Sequence, residues 1–212
     1  MTEPVRAAGE LAHRPVSVWN IANALTILRA VLVPVFLLLL LHDDGRDDLW
    51  RVAAWAAFAV ASVTDRVDGQ IARRRGLVTD FGKIADPIAD KALIGAALVG
   101  LSMLAQQPLA WWITIVVLVR EIGITLLRFF VIRHGVMQAS RGGKVKTMLQ
   151  AVGIGLLVLP LGGVLHSVAL LIMYVAVAVT VVTGVDYVAR AVRLRRTSER
   201  TVLKRARRAG HS

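Results

Sequence analysis

The sequence contains no cysteine, so disulfide bonds and thiolate chemistry are excluded. Its five histidines, His13, His42, His134, His166 and His211, are scattered and show no metal-ligand spacing. Most lie at or beyond the ends of apolar runs, where solvated or interfacial histidine is the expected role. Acidic residues are few: 14 Asp+Glu stand against 26 Lys+Arg, for a net charge of +12. There is no convincing internal repeat, and no connection long enough to hold a second domain. A cleaved leader is not expected either, because Arg29 sits inside the first apolar run and HDDGRDD follows it where small residues would be needed.

What the chain has in excess is apolar surface. Of its 212 residues 56% are hydrophobic, and the mean hydropathy is +0.63. A soluble domain is nearer half apolar. A strongly basic protein seeks nucleic acid or anionic lipid, and the hydropathy favours lipid. A span needs about 20 mainly apolar residues to cross roughly 30 Å of hydrocarbon. Six stretches qualify: 21–41, 49–72, 87–105, 109–132, 148–165 and 168–189. The expected fold is all-α, a polytopic bundle of six transmembrane helices. It divides into an N-terminal segment 1–18, a membrane domain 19–192 and a basic tail 193–212.

Lysine and arginine set the expected orientation. Nineteen of them fall before span one, between spans two and three, between spans four and five, and after span six. The other side has Arg46 and Arg51 only, in an aspartate-rich loop. Both termini are therefore expected in the cytoplasm, in a multi-pass cell-membrane protein. Trp50, Trp111 and Trp112 begin spans on the outer side, as an interfacial belt does. The tail RAVRLRRTSERTVLKRARR could be a nucleic-acid arm, but anchoring against anionic headgroups explains it better, and no nucleic-acid partner is expected.

The stretch TDRVDGQIARRRGLVTDFGKIADPIADK, residues 64–91, places five aspartates between two apolar runs. Asp65 and Asp68 are three apart near the cytoplasmic end of span two. Asp86 and Asp90 are four apart at the start of span three. Both spacings put two carboxylates on one helix face. A short connection makes the helices antiparallel neighbours, so four carboxylates can converge in the cytoplasmic leaflet. Unpaired, each costs about 2.5–3.5 kcal/mol on insertion scales. Arg66 and Arg73 could compensate in part. Divalent metal explains the group better, since oxygen-only ligands favour Mg²⁺, Ca²⁺ or Mn²⁺. Two ions bridged by shared carboxylates would neutralise it and clamp phosphoryl oxygens. Gly69 and Ala72 leave a low floor beside the acids for a flat or phosphorylated ligand.

On these residues the chain resembles the CDP-alcohol phosphotransferases. Asp65-x2-Asp68-Gly69-x2-Ala72-Arg73-x8-Gly82-x3-Asp86-x3-Asp90 agrees with the signature of that family at every fixed position. NALTILR at 23–29, DPIADK at 86–91, REIGITLLR at 120–128 and GKVKT at 143–147 are similar to its bacterial phosphatidylglycerophosphate synthase branch. The resemblance runs from about residue 20 to 190. It implies a dimeric six-helix membrane bundle with a cytoplasm-facing polar site. It also implies Mg²⁺ or Mn²⁺, with two ions. The implied reaction displaces CMP from CDP-diacylglycerol by an alcohol, glycerol 3-phosphate in that branch. Asp65, Asp68, Asp86 and Asp90 would hold metal, and Asp90 would act as general base. Asp68, Gly69, Ala72, Arg73, Thr79 and Gly82 would hold the CDP-diacylglycerol.

The remaining intramembrane polar residues suggest an acceptor site. Asn23, Thr26 and Arg29 form one stripe at i, i+3 and i+6. Arg120 and Arg128 are eight apart in span four, and Lys144 and Lys146 open span five. Any one such arginine can equally be a structural tie, with Glu121 as an available partner. Three arginines and two lysines together suit a dianionic phosphate, although Arg120 lies near mid-span. Inositol phosphate, serine or phosphatidylglycerol remain alternative acceptors. An ion-coupled transporter is the alternative outside the enzymes, but its acids are expected near the midplane between repeats.

Overall fold

A computed structural model describes residues 21–75, 80–106, 108–131 and 141–197. Among them are six helices and no strand: α1 (Ile21–Leu40), α2 (Asp48–Arg75), α3 (Asp80–Met103), α4 (Trp111–Val131), α5 (Arg141–Val158) and α6 (Gly163–Thr197).

The α1–α2 connection is a tight left-handed turn. Asp43, Asp44 and Gly45 have φ of 48°, 54° and 70°. Aspartate is one of the few residues that tolerate this region, and glycine occupies it without a steric penalty. A Cβ at Gly45 would lie 2.5 Å from Leu104 Cδ2, so the turn also requires glycine for space. Asp47 then caps α2, its Oδ1 accepting the Leu49 N–H at 2.8 Å.

The helix limits correct the expected spans in one place. The fifth span, expected at 148–165, is a helix over Arg141–Val158. Hydropathy reads through LPLGG because those residues are apolar. The backbone cannot continue there, because Pro160 offers no N–H and Gly163 adopts φ +55°. At the other end the charged RGGKVK segment is already helical, although its composition looks like loop.

α1 packs on α2 and α3, α5 on α6 and α2, and α4 on α6 and α3. The core is apolar, with Phe36, Leu40, Phe58, Leu98, Ile113, Ile154 and Met173 fully or almost fully buried. Phe36 and Phe58 join α1 to α2 with ring centroids 5.7 Å apart. Gly153 lets α5 approach α6 closely, since a Cβ there would stand 3.4 Å from the Met173 backbone. Trp112 of α4 stacks on Tyr174 of α6 at 6.0 Å. Eight residues further along α4, Arg120 reaches Thr183 of α6, so these two helices run parallel.

The outside of the bundle is as apolar as the inside. Leu38, Val119, Val164 and Val182 are among many large aliphatic side chains more than 60% exposed. Buried polar residues include Asn23, Thr26, Arg29, Arg51, Lys146 and Gln150. A water-soluble domain shows the opposite distribution. Among the described residues, two helical stretches are long and apolar enough to cross a membrane, Asn23–Leu40 and Gly163–Arg193. Apart from Arg29 on α1, the charged residues of the candidate site lie on the other helices.

Candidate active site

α2 carries Asp65, Asp68, Gly69, Ala72 and Arg73, and α3 carries Gly82, Asp86 and Asp90, all in helical backbone. The spacing of three on α2 and of four on α3 therefore does put each aspartate pair on one helix face. The four residues 76–79 join the two helices. Five Cα–Cα steps from Arg75 to Asp80 span at most about 18 Å, so the aspartate-bearing ends are held close. Thr79 lies outside the described residues. So do the side chains of Asp65, Asp68, Ala72, Arg73, Asp86 and Asp90, and those of Arg128 and Lys144 on the acceptor side.

Asn23, Thr26 and Arg29 are all buried, and Arg29 is 0% exposed. The polar stripe expected on the first span thus faces the interior, where α1 meets α2 and α3. A guanidinium there stays dry at high cost unless the surroundings are polar.

Arg120 and Lys146, expected to meet an acceptor, do come together, and Glu121 is what joins them. Glu121 Oε1 accepts hydrogen bonds from Arg120 Nη1 at 3.1 Å and from Lys146 Nζ. Its Oε2 lies 3.5 Å from Lys91 Nζ. Arg120 Nη2 donates to Thr183 Oγ1 at 3.2 Å, and Thr183 Oγ1 donates to the Val179 carbonyl at 2.7 Å. Gly184 leaves room for the Arg120 side chain: a Cβ there would meet Arg120 Cγ at 3.3 Å. Three helices thus meet at one carboxylate, α3 through Lys91, α4 through Arg120 and Glu121 itself, and α5 through Lys146, while α6 joins through Thr183, which accepts from Arg120. Lys91 directly follows Asp90, so this charged group adjoins the aspartate-bearing turn of α3.

Residues 19–182 match the family described as CDP-alcohol phosphatidyltransferase. The chain belongs to that family. It is 57% identical over 185 residues to a probable phosphatidylglycerophosphate synthase of Mycobacterium tuberculosis, covering 87% of each chain. It is 40% identical over 182 residues to the CDP-diacylglycerol–glycerol-3-phosphate 3-phosphatidyltransferase of Bacillus subtilis, covering 80% of this chain and 93% of that one. The enzyme of the same name from Shigella flexneri is 33% identical over 179 residues. Membership of a transferase family removes the ion-coupled transporter from consideration. It also agrees with the apolar exterior, since the family is membrane-associated.

Three parts of this charged group were not singled out from the sequence: Lys91, Thr183 and Gly184. Lys91 stood only as the last residue of DPIADK. Its adjacency to Asp90 was the available signal. Thr183 and Gly184 are small residues in an apolar run, and no sequence pattern connects them to Arg120, about sixty residues away.

Proposed function

We infer that this enzyme transfers the phosphatidyl group of CDP-diacylglycerol to glycerol 3-phosphate, giving phosphatidylglycerophosphate and CMP. The carrying observation is the joint one. The eight-residue aspartate pattern lies on two consecutive helices of a chain that matches relatives bearing this activity in their names at 57% and 40% identity.

Four carboxylates at helical spacing on adjoining helix ends would make an all-oxygen donor set, which suits Mg²⁺ or Mn²⁺. Asp65, Asp68, Asp86 and Asp90 would hold two such ions. When bound, the ions supply cationic charge to the diphosphate. Asp68, Gly69, Ala72, Thr79 and Gly82 would hold the donor beside the acids. Arg73 adds charge to its phosphates. Asp90 takes the proton from the 1-hydroxyl of glycerol 3-phosphate as that oxygen bonds to the β-phosphorus. The bond from that phosphorus to the CMP oxygen breaks, and CMP leaves with the electron pair. Asn23, Thr26, Arg29, Arg120, Arg128, Lys144 and Lys146 form the acceptor side.

The basic asymmetry supports six spans with both ends in the cytoplasm. The donor's acyl chains then stay in lipid while the soluble acceptor arrives at the face bearing the acids. The assembly expected for the family is a homodimer.

The test is a panel assay with purified protein, CDP-diacylglycerol and Mg²⁺. Glycerol 3-phosphate should release CMP and form phosphatidylglycerophosphate, and a chelator should stop both. CMP release with inositol phosphate, serine or phosphatidylglycerol in place of glycerol 3-phosphate would refute the acceptor while leaving the family intact.

A further inference from the structure

A structural tie needs one cation for one carboxylate. Glu121 has three: Lys91, Arg120 and Lys146. Lys146 and Arg120 are largely enclosed, with side chains 6% and 18% exposed. Among the described residues the group sets three cations against one carboxylate, and two of those cations, Arg120 and Lys146, lie inside an apolar bundle, where such charge is costly. Two further donors point to a missing acceptor. Arg120 Nε and Gln150 Nε2 are buried and have no hydrogen-bond partner. Gln150 is 3% exposed and lies one turn along α5 from Lys146, on the same face. On α6, one turn after Thr183, Asp186 and Arg190 form an exposed ion pair at 2.9 Å. An ion pair this exposed belongs outside the hydrocarbon, so the group lies close to the stretch of α6 where a soluble ligand would arrive.

We propose that Glu121 is a positioning residue for the acceptor: it gathers Lys91, Arg120 and Lys146 into one receptor for a dianionic phosphate monoester and holds that receptor against the turn carrying Asp90. The proposal rests on the acceptor reading above. Glu121 does not touch the substrate, which as an anion it would repel. Its work is to fix cations from three helices at one point, so that the residual charge of two matches the charge of the incoming phosphate. Oε1 takes the cations of α4 and α5 and Oε2 that of α3, so the receptor's distance from Asp90 is set through Lys91. Thr183 and Gly184 fix the far side of the Arg120 guanidinium.

The experiment is steady-state kinetics on purified E121Q, E121D and K146A, varying each substrate separately. Glu121→Gln keeps the shape and removes the charge that holds the cations. It should raise the glycerol 3-phosphate KM roughly tenfold or more, the scale of one lost charge-assisted hydrogen bond, with the CDP-diacylglycerol KM within about twofold. Glu121→Asp retains the charge on a shorter arm and should fall between wild type and E121Q. It carries the test alone if E121Q does not survive purification. An equal rise in both KM values would make Glu121 a general structural tie and overturn the proposal. So would an unchanged or lowered glycerol 3-phosphate KM in E121Q. Lys146→Ala separates the two readings. If K146A raises the glycerol 3-phosphate KM while E121Q does not, the acceptor site stands and the role of Glu121 falls. If neither does, both fall.

Discussion

At Asp90 the proposed chemistry can be separated from binding by one substitution. Asp90→Asn keeps the size and an acceptor oxygen but cannot take a proton at neutral pH. Turnover should fall to background while CDP-diacylglycerol still binds in the presence of metal, read by single-turnover CMP release and by ligand binding. Near-wild-type turnover would remove Asp90 from the general-base role. On the acceptor side, Arg128→Ala removes a guanidinium and should raise the glycerol 3-phosphate KM far more than the donor KM. Losing a hydrogen bond to a charged group costs about 1.5–3 kcal/mol, or roughly 10- to 150-fold in apparent affinity. An equal effect on both substrates would place Arg128 outside the acceptor site. These two residues also show what was legible. The aspartate pattern could be read because helical spacing is a local rule. Buried Asn23, Thr26 and Arg29 could be read for the same reason. The pairing of Glu121 with Lys91 and Lys146 could not, because it joins residues 30 and 25 apart across three helices. Only packing decides which of several nearby cations a carboxylate meets.

At the scale of elements, α2 does more than carry aspartates. Near its start, Arg51 lies against the C-terminus of α5. Its Nη2 donates to the Leu157 carbonyl at 2.7 Å and to the Leu159 carbonyl at 3.1 Å, and its Nε donates to the Val158 carbonyl at 3.1 Å. Those carbonyls are the ones a helix end leaves without intrahelical donors, and they carry the negative end of its dipole. Arg51 is 5% exposed, so water cannot easily replace it. Arg51→Ala should cost about 1.5–3 kcal/mol or more. For a chain of this size that is roughly 3–12 °C in melting temperature in detergent. Both KM values should stay within about twofold, because the clamp is at the end of α5 opposite Lys146. A selective change in acceptor KM would mean that the clamp sets the register of the site. From the sequence Arg51 was visible only as a charge on the outer side. Its three partners are backbone carbonyls of a helix whose end hydropathy misplaced by seven residues, at 165 instead of Val158.

For the whole molecule, what needs explaining is an apolar exterior around an apolar core that also encloses Arg29, Arg51 and Lys146. α6 is 35 residues long, about 52 Å at 1.5 Å per residue, against roughly 30 Å of hydrocarbon. Some of it must leave the lipid, and the exposed Asp186–Arg190 pair places that exit toward its C-terminal end. The end that leaves the lipid is thus the one that adjoins the Glu121 group through Thr183. With six spans, the α2–α3 and α4–α5 connections share that side, and they hold the basic residues that favour the cytoplasm. The α1–α2 turn, with Asp43, Asp44 and Asp47, falls on the other. The absence of native cysteine gives a clean background for checking this. A single cysteine at Asp44 and another at Ser198, just past the end of α6, should be labelled from opposite faces of sealed vesicles by a membrane-impermeant maleimide. In right-side-out vesicles the Asp44 position should react and the Ser198 position should react only after permeabilisation. In inverted vesicles the order should reverse. Labelling of both from one face would require an even number of crossings between them, against the five helices that separate the two positions in the fold. Such a pattern would overturn the six-span topology, whereas the single-sided chemistry draws on the fold itself, in which Lys91 ties the aspartate-bearing turn of α3 to the acceptor cations.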